Sequence, residues 1–117
     1  MAINRKIRSW EDCLRILGCR VQVKLCGNTY LTGDGDLCKI TYYDTVIVQY
    51  HKNGDCTVNS GGFLTRSVED RINAYIPYGY VYQEHFRWYF TYDTLQGRVT
   101  VPFISIMILP KHKSEGI

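Results

Sequence analysis

Thr45-Val46-Ile47-Val48-Gln49-Tyr50, a turn at Asn53-Gly54, and a return through Asp55-Cys56-Thr57-Val58-Asn59 decide the fold of this chain. The first run is β-branched and apolar enough for a central strand. Asn-Gly between two such runs is a strong hairpin signal, because both residues tolerate the positive φ of a type I′ turn. An antiparallel sheet is therefore expected here, and the neighbouring sequence extends it on both sides.

Upstream, Arg20 to Leu25 alternates polar and apolar residues, and Cys26-Gly27-Asn28 is turn material before Thr29-Tyr30-Leu31-Thr32. Gly33-Asp34-Gly35-Asp36 reads as a flexible acidic turn that lacks the later ligands of a calcium loop. A strand near Cys38–Tyr43 follows. Downstream, strands are expected at Tyr80–Phe86 and Trp88–Tyr92, then over Arg98 to about Leu109. Pro102 makes that last stretch an edge, a bulge or two strands. Two helices interrupt the strands. Ser9 caps the first, with Asp12 three residues on and Gly18 as its stop; Trp10, Cys13, Leu14 and Leu17 make its apolar face. The second is expected to start at a Ser67 cap, with Val68, Ile72, Tyr75 and Ile76 as its stripe and Pro77 at its end. The reading is α+β: an antiparallel β-sheet core with two short α-helices, in a single domain over 1–110, with 111–117 as a flexible tail.

The chain has 117 residues, 45% of them hydrophobic, enough for one folded domain. A net charge of +3 is too small to argue for DNA or RNA wrapping or for a polybasic membrane anchor. No apolar run approaches membrane-spanning length, and Met1-Ala2-Ile3-Asn4-Arg5-Lys6 opens no signal peptide. The five cysteines lack a Cys-x-x-Cys pair, and His51, His85 and His112 follow no metal-ligand rhythm, so neither a metal nor a cofactor is expected. Tyrosine is the outlier, at 10 residues. Tyrosines fit amphipathic strand faces, and equally a ligand pocket or a protein interface.

Chemistry concentrates in Asn59-Ser60-Gly61-Gly62-Phe63-Leu64-Thr65-Arg66-Ser67, continuing to Arg71-Ile72-Asn73. Adjacent glycines between a strand and a helix allow close backbone approach, and the helix start offers amide groups to an anion. Phe63 supplies a flat face for a base, Arg71 a cation for phosphate, and Asn73 an amide able to read a base edge. The plain alternative makes Gly61-Gly62 a tight corner, Phe63 a core plug and Ser67 a cap. The pair matches neither a Walker A loop nor a dinucleotide fingerprint.

This same string resembles a family of small phage proteins. Asn-Ser-Gly-Gly-(Phe or Trp)-x-Thr followed by Arg-Ile-Asn, after a strand like Tyr43-Asp44-Thr45-Val46-Ile47-Val48 and an Asn-Gly turn, is similar to the first-described Thoeris anti-defence proteins. The likeness covers about residues 43–73; the first 40 residues show none. It implies a sponge that binds cyclic ADP-ribose isomers made by bacterial TIR-domain enzymes and does not cleave them, acting in the host bacterial cytoplasm. It implies a homodimer, with hexamers and further cyclic oligonucleotide ligands in some members. By this resemblance Phe63 stacks on the adenine and Asn73 holds a base edge or ribose. The chemistry of the neighbouring residues, not the resemblance, adds Arg71 and the amides near Gly61, Gly62 and Thr65 facing the pyrophosphate, with Arg66 as a helper. Two other classes stand beside it: an anti-CRISPR-like inhibitor that binds a host defence protein directly, and an enzyme that cleaves a cyclic nucleotide. No acid–base pair or nucleophile dyad is evident in the sequence, which favours a non-enzyme.

Overall fold

The computed structural model describes residues 7–62, 65–103 and 106–110. The expected tail at 111–117 lies outside them. Among the described residues the chain runs α1 (Trp10–Leu17), β1 (Gln22–Cys26), β2 (Thr29–Asp34), β3 (Leu37–Tyr42), β4 (Thr45–His51) and β5 (Cys56–Asn59). It continues through α2 (Arg66–Tyr75), β6 (Tyr80–Glu84), β7 (Arg87–Thr94), β8 (Gly97–Pro102) and β9 (Ile106–Leu109). Two antiparallel sheets result, in the orders β1-β2-β3-β4-β5-β9 and β6-β7-β8. The fold is α+β.

The deciding hairpin forms, with Val48 opposite Val58 and Tyr50 opposite Cys56. Its turn is not the expected type I′. Gly54 alone has positive φ, at 104°. The Asn53 side-chain oxygen instead accepts from the Asp55 amide at 2.9 Å, while His51 N–H donates to Asp55 O at 2.9 Å. Three residues, not two, make the loop, because the Asn53 side chain supplies a turn bond of its own. The ambiguous final stretch resolves into two strands in different sheets. Pro102 closes β8 opposite Tyr89, and β9 pairs with β5 at the edge of the larger sheet. Phe86 leaves its expected strand for a tight turn with His85 between β6 and β7.

Helix α1 starts as read: the Ser9 hydroxyl accepts from the Asp12 amide at 3.1 Å, and Gly18 ends the helix at φ 59°. Cys13 and Leu17 are buried, whereas Leu14 is exposed, so the apolar face is narrower than expected. Gly33 sits inside β2, not in a turn; a Cβ there would lie 3.0 Å from Leu17 Cδ1, so its bareness lets α1 approach the sheet. Helix α2 begins two residues earlier than expected. Thr65, not Ser67, is its cap, and the Thr65 hydroxyl accepts from the Val68 amide at 3.3 Å. Ser67 then lies within the first turn, where its carbonyl accepts from Arg71 Nη1 at 3.3 Å.

Both helices and both sheets contribute to one core. Ile7, Leu31, Ile40, Ile47, Val48, Ile72, Tyr75, Val81 and Phe90 share a single core cluster. Tyr50 is buried at the centre of the cluster, and its hydroxyl meets the carbonyls of Ile7 and Tyr75, joining β4 to the entry of α1 and the end of α2. Gly79 links α2 to β6 at φ 73°, where a Cβ would fall 2.6 Å from both the Phe90 ring and the Thr91 carbonyl oxygen. No side chain fits there. Gly79→Ala is expected to cost on the order of 2–4 kcal/mol, the range for overpacking added to backbone strain, measurable by urea denaturation.

Three thiols lie in the core. Burial raises Cys13, assisted by Cys38 beside it, and burial pushes Cys56 from the ordinary 9.0 up to about 12. Burial likewise pushes the Tyr78 hydroxyl from 10.0 to about 12. Folded pKa values above the unfolded ones mean the folded state holds its protons longer. The stability they protect is complete below about pH 9 and declines as pH rises toward about 12. Urea midpoints under reducing conditions are expected to be flat up to about pH 9 and to fall as pH rises from there toward about 12, and Cys56→Ala reduces the slope.

Candidate functional site

Residues from three parts of the chain surround a cavity of about 430 Å³, within the range of roughly 300–1,000 Å³ typical of small-molecule sites. The β3–β4 turn contributes Tyr42 and Tyr43, and β4 contributes Thr45 and Ile47. Ser60 follows β5, and the start of α2 brings Thr65, Ser67 and Val68. The wall is apolar with a hydroxyl rim. Burial explains part of this: Ile47 and Val68 belong to the core, while Thr45, Thr65 and Ser67 are more exposed.

Thr65, predicted from sequence, is thus on the cavity wall, and its side chain is also the helix cap. Arg71 lies one turn further along α2. Its guanidinium stacks 4.1 Å above the Tyr42 ring, and Nε donates to the Thr29 hydroxyl at 2.9 Å. Nη2 donates to Gly27 O at 3.4 Å. The cation is therefore anchored behind Tyr42, with the β1–β2 turn as its seat. An arginine stacked on an aromatic face keeps its charge while losing little freedom to further ordering.

Gly61 and Gly62 take φ of 66° and 82°, the left-handed conformations that the sequence reading asks of them. Their amides are turned to local acceptors: Gly61 N–H donates to Asn59 Oδ1 at 2.8 Å and Gly62 N–H to Ser60 Oγ at 3.2 Å. Ser60 is fully buried, so this corner is pinned from within. Phe63 lies outside the described residues. Arg66 is directed along the helix to Asp70 at 3.3 Å, an exposed pair of small energetic weight.

Asn73 sits apart from this group. Its Nδ2 donates to Val81 O at 2.9 Å and its Oδ1 accepts from Val81 N–H at 2.7 Å. Both ends of the amide are thus spent on β6. Of the residues expected from sequence, Thr65 lines the cavity and Arg71 touches it only through the Tyr42 ring, while Gly61, Gly62, Arg66 and Asn73 do not line it. Tyr42 was not singled out by sequence reasoning, and Tyr43, Thr45 and Ser60 entered it only within the motif string, without a site role. The available signal for the two tyrosines was their adjacency at the turn before β4.

A second cavity of about 230 Å³ borders the start of α1, where Arg8 and Lys52 are matched by Glu11 and Asp55. Arg8 Nη1 already donates to Ile76 O at 2.7 Å. Among the described residues no group of three or more His, Cys, Asp or Glu side chains is placed to hold a metal ion.

Comparison with protein-family models, with curated proteins and with solved structures finds no match. The likeness to the Thoeris anti-defence proteins therefore rests on the residue pattern of 43–73.

Removing the Asn73 side chain leaves two backbone groups of the buried Val81 without partners, at roughly 1–3 kcal/mol each. Asn73→Ala is expected to lose on the order of 2–4 kcal/mol of stability by chemical denaturation, with or without any ligand present.

Proposed function

We propose that this chain is a non-catalytic sponge for a cyclic nucleotide signal. It holds a cyclic ADP-ribose isomer of the kind TIR-domain enzymes make, uncleaved, in the cavity at the start of α2. The observation that carries this reading is the tyrosine-walled cavity itself. Ser60 and Thr65 of the motif line it together with Tyr42 and Tyr43, and Arg71 is stacked on the Tyr42 ring. Aromatic walls suit a base, while hydroxyls, a cation and the start of a helix suit a pyrophosphate. Sequestration needs complementarity and slow release, not a nucleophile or a metal.

The setting follows from the resemblance: a phage protein acting in the host bacterial cytoplasm and blocking immune signalling, with cyclic oligonucleotides as additional ligands. Self-association into a homodimer or hexamer is supported by the edge strand β9, where Ile106 and Ile108 are 64% and 65% exposed. DNA, RNA and membranes are not proposed as partners. The net charge is only +3, and among the described residues no helix is long and apolar enough to cross a membrane.

A second reading has its own observation. The β6–β7 turn holds His85 and Phe86 at φ of 52° and 65°, and Phe86 is 94% exposed. An aromatic displayed at a hairpin tip suits direct inhibition of a host defence protein.

The test is to mix the purified chain with a TIR-made cyclic ADP-ribose isomer, remove free ligand, heat-denature, and chromatograph what is released. Intact nucleotide is expected from the parent. Phe63→Ala is expected to retain roughly tenfold to hundredfold less, the equivalent of losing about 1–3 kcal/mol of stacking. Altered nucleotide would make the chain an enzyme. If nothing is retained while a host protein co-purifies through Phe86 and is lost in Phe86→Asn, the second reading replaces the first.

A further inference from the structure

The β3–β4 turn contains a residue in the wrong conformation for its side chain. Tyr42 pairs with Thr45, leaving Tyr43-Asp44 as a two-residue turn. Tyr43 has φ of 56°, and Asp44 does not share the positive value. A positive φ at the first central residue alone is the pattern of a type II′ turn, where glycine is the usual occupant. A bulky residue in the left-handed region is a genuine outlier. Surrounding bonds hold it there: Tyr43 N–H donates to Asn28 O at 2.9 Å, tying this turn to the β1–β2 turn.

Burial does not compensate Tyr43 for that backbone. The residue is 63% exposed, and its ring meets the Tyr42 ring edge-on, with centroids 4.7 Å apart and planes at 62°. Tyr42 in turn lies beneath the Arg71 guanidinium. What distinguishes Tyr43 from the equally strained Phe86 is position: Tyr43 borders the 430 Å³ cavity, while Phe86 lines neither cavity. Strain that is maintained by over-determined surroundings clusters at ligand clamps.

We propose that Tyr43 is a ligand-contacting residue whose exposed ring forms the outer wall of the cavity and stacks on a flat aromatic group carrying an anion nearby, as in a nucleotide. The ring covers the ligand from the solvent side, Ile47 and Val68 meet it from the core side, and the hydroxyls of Thr65 and Ser67 face its anionic part. This rests on the sponge reading and adds to it the residue that closes the site. Tyrosine is kept at a glycine position because binding needs the ring.

The experiment separates folding from binding. Tyr43→Gly and Tyr43→Asn both suit the left-handed turn and both remove the ring. Each is melted and each is titrated by calorimetry with the TIR-made cyclic ADP-ribose isomer, alongside the parent. The expected result is a melting temperature at or above the parent's together with an affinity lower by roughly tenfold to hundredfold. Parent-like affinity in both variants overturns the assignment and leaves the sponge reading standing. A fall in melting temperature with the affinity loss in both variants overturns it too, since the ring is then part of the fold. Failure of the parent itself to bind removes the assignment together with the sponge reading.

Discussion

The Asn73 amide, bonded to both the N–H and the C=O of Val81, is the constraint on which the rest of the arrangement depends. A helix has no backbone groups to offer a neighbouring strand, so α2 and β6 would meet only through apolar contact. The side-chain amide imitates one rung of a sheet ladder and closes the edge of β6 from the helix side. Val81 is buried, so leaving those groups unpaired would be costly. Once α2 is fixed to the small sheet at its C-terminal half, its N-terminal half is fixed over β4. The cavity is the gap left between that half and the β3–β4 turn.

This gives Asn73 a role that the sequence pattern did not suggest. The amide that can read a base edge can equally read a peptide group, because both present one donor beside one acceptor. A contact between Asn73 and a nucleotide would have to be made at the expense of Val81. Arg71 shows a milder form of the same ambiguity. Its position on α2 suits phosphate binding, yet its guanidinium is already organised by Thr29, Gly27, Ser67 and the Tyr42 ring. Such preorganisation lowers the entropy still to be lost on meeting an anion.

Much of the fold was legible because its signals are local. The β-branched run Thr45–Tyr50, the Ser9 cap and the Gly18 stop all act within a few residues, and each appears as read. Misreadings fell where two local solutions compete. Thr65 and Ser67 are both good caps, and the earlier one wins while still placing Val68 and Ile72 in the core. Asn53-Gly54 can make a two-residue turn through the backbone or a three-residue one through the Asn53 side chain, and the second is adopted. The site was legible only along the sequence. Gly61, Gly62, Thr65 and Arg71 fall within one short stretch and carry a recognisable pattern. Tyr42, Tyr43 and Thr45 join them by sheet registry and helix docking, which no local spacing encodes.

Turn chemistry also separates the two functional readings on physical grounds. Tight turns in this chain use glycine or asparagine where they can: Gly35, Gly54 and Asn28 all take positive φ at loop positions. Tyr43, His85 and Phe86 break that habit, at two turns, with aromatic rings that are left in solvent or nearly so. Neither exposure nor backbone preference favours an aromatic at these points, which is why each of these rings is the feature on which one functional reading rests. Tyr43 borders a cavity of small-molecule size, so its ring is available to a molecule seated there. At Phe86 an aromatic ring stands almost fully exposed at a hairpin tip, a display that suits insertion into a pocket on another molecule. The two turns therefore describe different kinds of contact. A sponge that self-associates or meets a second protein can use both without conflict.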